Sequence, residues 1–407
     1  VGNVSTAAGI TADGRFLAFT SWNDHLVPDD TNGMPDAFVY DRETGAIERV
    51  SVTSDGKQLP GWTLAIFISA DGRYALFRSD KRSVRLFDSQ LTDGLFLHDR
   101  QTGQTELLQL DPDDKIFDYN AGNGKISADG RFVVLEVSTM TPVYGRSDIW
   151  NVYLLDRRTN QVKRISQAPD GSPADGNSNT TAMTPDGRWI AFLSQASNLA
   201  PGDQPCTNPI WRCADLFVYD RVKAKLERIP VGFGMGMGGP GDRLSISANG
   251  RWIAYNDMDD QFQFQVKVYD RETRQVETGC ADDQGKCDGY GPSLSADGRW
   301  LAFANQQVFL KDRQTGQIRQ MSVSGSGQPA DGPSGINTLQ GEGFSNDVFL
   351  SADGQWLAFS SQAANLLPAG VQKQSCTLFF DNPYPCYDLF LHNRESGETI
   401  WVNNKQP

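Results

Sequence analysis

Three histidines, six cysteines and a surplus of carboxylates are the groups in this 407-residue chain that could do chemistry. His98 and His392 each stand in a short apolar run that ends in Asp-Arg or Asn-Arg, at a position taken elsewhere by Tyr40, Tyr219, Tyr269 or Lys311. That pattern makes them ordinary strand residues. His25 stands alone in polar sequence and no Gly-x-Ser-x-Gly turn occurs, so a serine-hydrolase triad has no residues to build it. Neighbouring carboxylates do occur, at Asp29-Asp30, Asp113-Asp114, Asp259-Asp260 and Asp282-Asp283. A glycosidase needs two carboxyl groups roughly 5–10 Å apart across a cleft. Adjacent Asp residues in loops are more often turn formers bonded to their own backbone.

Calcium is the one cofactor the residues nominate. Asp30, Asn32 and Asp36 lie in Asp30-Thr31-Asn32-Gly33-Met34-Pro35-Asp36, which offers side-chain oxygens at alternate positions and a Gly for a sharp bend. Hard oxygen ligands on a curling loop suit Ca2+. The stretch is shorter than an EF-hand loop and has no closing Glu, and the competing reading is a loop held by its own Asx turns. Asp36, Asp215 and Asp388 also share one repeat position and each follows a Leu-x-Pro motif at Leu26, Leu199 or Leu366. That regularity assigns them to bracing the strand that follows. The Gly-rich segment from Gly232 to Gly239 has no following Lys-Ser or Lys-Thr, so it is no phosphate loop.

The cysteines fall into three local pairs: Cys206 with Cys213, Cys280 with Cys287, and Cys376 with Cys386. None is Cys-x-x-Cys and no His lies close enough to complete a zinc site. Three short loops bracketed by cysteines read as three disulfides, which persist in oxidising compartments. The chain is therefore expected to be secreted, periplasmic or at the cell surface, with any export signal removed or left out of the numbering that starts at Val1.

The elements that must position these groups come from a repeat. An Asp-Gly or Asn-Gly turn followed by Arg or Gln and an aromatic begins at residues 13, 71, 129, 186, 249, 297 and 353, at separations of 58, 58, 57, 63, 48 and 56. The fullest copy is Ser295-Ala296-Asp297-Gly298-Arg299-Trp300-Leu301-Ala302-Phe303. Gly tolerates the positive φ of a two-residue hairpin turn, and the unbroken apolar run after it predicts a strand buried on both faces. Each copy carries a second phrase, an apolar run with Asp-Arg and a turn, as in Phe38-Val39-Tyr40-Asp41-Arg42-Glu43-Thr44-Gly45. One repeat thus reads as four strands, A to D.

Seven such sheets bury their faces by stacking around a ring, an all-β seven-bladed β-propeller of four-stranded antiparallel blades. The expected blades are approximately 1–54, 55–110, 111–168, 169–231, 232–281, 282–324 and 325–407, in one domain covering the chain. A strand A before the first phrase and a strand D at the end make every blade contiguous, so closure must rest on packing between blades 7 and 1.

The Ser-Ala-Asp-Gly-Arg-aromatic-aliphatic-Ala-Phe phrase resembles the repeat of the TolB-like, WD40-like (PD40) β-propeller family of the bacterial envelope. Blade 1, from Leu26 through Asp30-Thr31-Asn32-Gly33 to Asp41-Arg42, resembles a bacterial extracellular subgroup of it. The resemblance spans all seven blades and implies fold far more than function, since the same propeller serves as scaffold, receptor and enzyme accessory.

Both tight turns of a repeat lie at one end of its sheet, so the B–C loops and the D–A connections share the other. The long B–C loops, 194–215 and 360–388, each hold a cysteine pair and carry Trp211 or Phe379, Phe380 and Tyr384. These aromatics are the candidate binding residues, because stiff loops bind with less loss of entropy. A net charge of −13 disfavours nucleic acid and anionic membrane surfaces, and no apolar run approaches the roughly 18 residues of a membrane span. The reading that results is an exported module that binds protein partners through its loop face or serves as a scaffold, rather than an enzyme. A polysaccharide hydrolase or lyase, or a lectin taking a glycan on the same face, is the alternative.

Overall fold

Each Asp-Gly turn is assembled by side chains. In blade 2 the Ser69 hydroxyl donates to Asp71 Oδ1 (2.6 Å) and accepts the Tyr74 N–H (2.9 Å), while Asp71 Oδ1 also accepts the Arg73 N–H (3.0 Å). Gly72 adopts φ 76°. The same hydroxyl-to-carboxylate bond recurs from Thr11 to Asp13, Ser127 to Asp129, Thr184 to Asp186, Ser295 to Asp297 and Ser351 to Asp353, and from Ser247 to the amide of Asn249. The Arg after the turn then crosses to strand C, where Arg73 pairs with Asp99 through two bonds of 2.9 and 2.6 Å. Turn, strand B and strand C are thereby locked to one another.

These local units give seven four-stranded antiparallel sheets, the blades of a β-propeller, in the computed structural model of the chain. It describes residues 4–80, 93–108, 119–139, 149–203, 214–229, 244–258, 263–280, 289–339, 343–346, 348–376 and 384–404. In blade 1 strands A to D are Ser5–Ile10, Phe16–Ser21, Asp36–Asp41 and Ala46–Arg49, and in blade 7 they are Val348–Leu350, Trp356–Ser361, Asp388–Asn393 and Thr399–Trp401. Both are contiguous, so no terminal strand is lent to complete another sheet. Strand B is buried on both faces, with Leu17, Ala18 and Phe19 all fully covered. Strands A touch one another in sequence around the ring and back to the first, which makes them the inner wall of the propeller.

What joins the blades is a contact that the repeat phrase repeats seven times. The aromatic that opens each strand B packs on the Asp-Gly turn of the next blade: Phe16 on Gly72, Tyr74 on Gly130, Trp189 on Gly250, and Trp356 of blade 7 on Gly14 of blade 1. A Cβ at Gly72 would lie 2.5 Å from the Phe16 ring. Over each aromatic lies the Arg of the next blade's Asp-Arg phrase, as with Arg100 at 4.4 Å from the Phe16 centroid and Arg42 at 4.4 Å from that of Trp356. Arg100 also donates to the Gly72 carbonyl at 2.6 Å. Each such stack contributes about 0.5–2 kcal/mol.

Blade 7 departs from the expected layout. The segment between strand D of blade 6 and strand A of blade 7 contains a hairpin of Ile336–Leu339 with Gly343–Asn346, and Ser334 already pairs with Ser361 of strand B. Other strands A break register at this height by a small bulge, for example between Asn179 and Ala182. Blade 7 enlarges that bulge into an inserted hairpin.

Candidate functional site

The face carrying the tight turns is occupied by its own bonds, and the loop face is where side chains of different elements converge. In blade 1 the buried Asp36 accepts from the Ser51 hydroxyl (2.5 Å) and from the Gln58 amide (2.6 Å), with Arg49 at 3.4 Å. Gln58 also donates to Asp30 (2.7 Å), and its oxygen accepts the Thr31 N–H (3.0 Å), which fixes the amide the right way round. Arg49 lies 3.7 Å from Asp30, so one guanidinium serves two carboxylates. Burial is the main cause that pushes Asp36 up to about 6, against the bonds from Ser51 and Gln58.

The arrangement recurs with local changes. In blade 4 Arg228 reaches Asp215 (2.8 Å) and Asp203 (3.2 Å), which stand where Asp36 and Asp30 stand in blade 1. In blade 7 the strand D position holds Trp401, whose indole N–H donates to Asp388 (3.2 Å), and the cation comes from the loop as Lys373 at 2.6 Å. The expectation that these Asp residues brace the start of strand C is met, and each braces a B–C loop as well.

The D–A connections act as staples on the same loops. Asp175 accepts the N–H (2.7 Å) and hydroxyl (2.7 Å) of Ser197, and Asn198 donates to the Pro173 carbonyl (2.8 Å). Asp331 accepts the N–H of Ala364 (2.7 Å), and Asn365 donates to Pro329 (2.8 Å). Sequence reasoning passed over Arg49, Gln58, Arg228, Lys373, Asp175 and Asp331. The phrase Pro-Ala-Asp-Gly, at 173–176 and again at 329–332, was the signal for the last two.

Asn32 forms an Asx turn, accepting the Met34 N–H (2.8 Å) while its amide donates to the Leu59 carbonyl (2.9 Å). Asp30, Asn32 and Asp36 are thus brought together on one loop, and the oxygens described there face donors of the protein. Among the described residues no group of three or more His, Cys, Asp or Glu side chains is placed to hold a metal. His98 and His392 are buried in strands C beside the hydroxyls of Thr105 (2.8 Å) and Thr399 (2.9 Å), and burial depresses both. The structure joins Cys376 to Cys386. Cys280 is also disulfide-bonded, whereas Cys287, Cys206 and Cys213 lie outside the described residues. Trp211, Phe379 and Phe380 lie outside them too, and of Tyr384 only the backbone strand with Pro385 is described.

Solved structures share this architecture. An oligogalacturonate lyase from Vibrio parahaemolyticus matches with a TM-score of 0.54 at 12% identity, over 88% of this chain and 88% of that one. A puromycin hydrolase matches with a TM-score of 0.60 at 10% identity, over 100% of this chain but only 54% of the hydrolase. The likeness is one of fold alone. TolB from Acinetobacter baumannii is also similar, at 16% identity over 78% of this chain and 65% of that one, but its TM-score of 0.43 supports no inference about this chain. A scan against protein-family models found no match, and a search of curated proteins found none either.

Proposed function

We propose that the chain is an exported, non-catalytic propeller that binds a protein partner through its loop face. The observation that carries this reading is the commitment of the loop-face acids to holding loops. Asp36, Asp215 and Asp388 each spend their oxygens on a cation or amide of the protein, and Asp36 is wholly buried, out of reach of any substrate. Acids used in this way stiffen the loops that rise above them, and a stiff loop loses little entropy when a partner covers it. The Cys376–Cys386 disulfide adds to that stiffness and is compatible with an oxidising compartment.

Two alanine panels on the full chain test the reading, one aromatic (Trp211, Phe379, Phe380, Tyr384) and one acidic (Asp30, Asp203, Asp331). Each is read by partner association and by turnover of a glycan library. Aromatic anchors can carry about 2 kcal/mol or more of binding, so the expected outcome is association lost in the aromatic panel with no turnover in any protein. Turnover that vanished with one acidic substitution would replace this reading with the polysaccharide-acting enzyme. Glycan retention without turnover would replace it with a lectin.

A further inference from the structure

The polypeptide crosses six of the seven blade–blade interfaces as a D–A connection, and the interface between blades 7 and 1 has no such crossing. The ordinary contacts are all present there. Trp356 packs on Gly14 beneath Arg42, and the Ala352 N–H donates to the Ala12 carbonyl (3.0 Å). The Ser5 N–H donates to the Tyr387 carbonyl (3.2 Å), just as Thr63 does to Pro35 (2.8 Å) between blades 1 and 2, and Ser334 to Gln306 (2.9 Å) between blades 6 and 7.

The seventh interface also carries a disulfide. The disulfide Cys376–Cys386 belongs to the B–C loop of blade 7, yet its cysteines are only 0% and 1% exposed. Among the described residues, the apolar side chains packed on it are Val4 and Trp22, both from blade 1. Trp22 is itself tied back by its N–H to the Val4 carbonyl (3.0 Å), and Cys386 immediately precedes the Tyr387 whose carbonyl holds Ser5. Ser5 is further held by Asn403, whose amide donates to its hydroxyl (3.2 Å). The crosslink therefore sits at the point where the first residues of blade 1 meet the edge of blade 7.

We propose that Cys376–Cys386 is a redox-sensitive clasp, which holds the ring shut at its one unlinked interface and whose reduction loosens that interface selectively. A dithiol would supply the two electrons. One of its thiolates attacks a cysteine sulfur, the S–S bond breaks, the second thiol closes a ring disulfide on the reductant, and both cysteines leave as thiols. Because both cysteines lie under Val4 and Trp22, the reductant must wait for blades 7 and 1 to part, so the rate of reduction reads the rate of opening.

The full-length oxidised protein is treated with dithiothreitol under native conditions. Cys376 and Cys386 are followed by alkylation and peptide mass, and backbone amides by hydrogen exchange. Reduction is expected to be slow and to speed up roughly tenfold in Trp22→Ala. Once the clasp is open, exchange at the Ser5 and Trp22 amides should rise roughly tenfold or more, while Thr63 and Ser334, which make the equivalent bond elsewhere, stay as protected as before. Cys376→Ser/Cys386→Ser, which leaves the Cys280 disulfide intact, should show the same local loss without reductant. Reduction that leaves Ser5 protection unchanged overturns the proposal. So does an equal loosening at Thr63 and Ser334, since the crosslink would then stabilise the ring as a whole.

Discussion

Burial moves Asp36 and His392 in directions that oppose one another on an acid titration. Asp36 is raised to about 6 in the folded chain, so its buried charge costs stability above that pH. Its contribution improves as pH falls from 6 towards the ordinary carboxylate value near 4, by on the order of 2–3 kcal/mol. His392 is lowered to about 4 by burial, so the folded chain resists a proton that the unfolded chain accepts from about pH 6.5. Its contribution is lost between 6.5 and 4, by a similar amount. Denaturant midpoints across this range should therefore fall more steeply with pH on the acid side for Asp36→Asn than for the parent, and less steeply for His392→Tyr, a residue the repeat position accepts. Calcium is tested at the same loop. Gln58, Ser51 and Arg49 face the carboxylates of Asp30 and Asp36, so a chelator is expected to leave the melting temperature unchanged. A drop in melting temperature that Asp30→Ala abolishes would instead assign a cation to Asp30, Asn32 and Asp36.

At the scale of the turn, two glycines of like backbone separate conformation from packing. Gly45 has φ 72° and open space where a Cβ would go, whereas Gly72 has φ 76° and the Phe16 ring 2.5 Å away. Gly45→Ala should cost about 1 kcal/mol, the conformational term alone. Gly72→Ala should cost roughly 3 kcal/mol or more, because a ring buried between two blades must also move. Trp300→Ala removes the ring that covers Gly354 under Arg394 and should cost about 3–5 kcal/mol, with His98→Ala much milder. Thermal or denaturant melts of the four variants check the order.

The same turn shows how far the sequence could be read. Asp-Gly-Arg-aromatic announces a hairpin, because positive φ and an apolar run are local properties. That Phe16 belongs against Gly72 is not legible, since the contact joins two copies of the phrase whose only link is the closed ring. The loop face divides in the same way. Asp36, Asp215 and Asp388 could be placed by their shared offset, but their partners come from different elements in different blades: Arg49 and Arg228 from strand D, Lys373 from a loop.

For the molecule as a whole, acid tolerance should follow the pairs between strands B and C. Arg15, Arg251 and Arg299 hold Asp41, Asp270 and Asp312 at about 2, well below an ordinary carboxylate. Stability from these pairs is complete above about pH 4 and is lost as pH falls towards 2. The arginine side chains are 31–42% exposed, so solvent screens each pair and its contribution is modest. Circular dichroism against pH should show the acid transition below pH 4. Non-reducing peptide mapping should add Cys206–Cys213 and Cys280–Cys287 to the crosslink already described; a link between different loops would contradict the local pairing, and free thiols would contradict the export reading.

Because the aromatic of every blade rests on the turn of its neighbour, and Trp356 on Gly14 obeys the same rule, the ring has no privileged starting point. Asn403 and Ser5 already touch, at 3.2 Å, so a short linker could join the chain there while a new opening is made in any D–A connection. Such a circular permutant should fold to the same propeller. In it, blades 7 and 1 would be joined by peptide, and Cys376→Ser/Cys386→Ser should then cost far less protection at Ser5 than it does in the natural order.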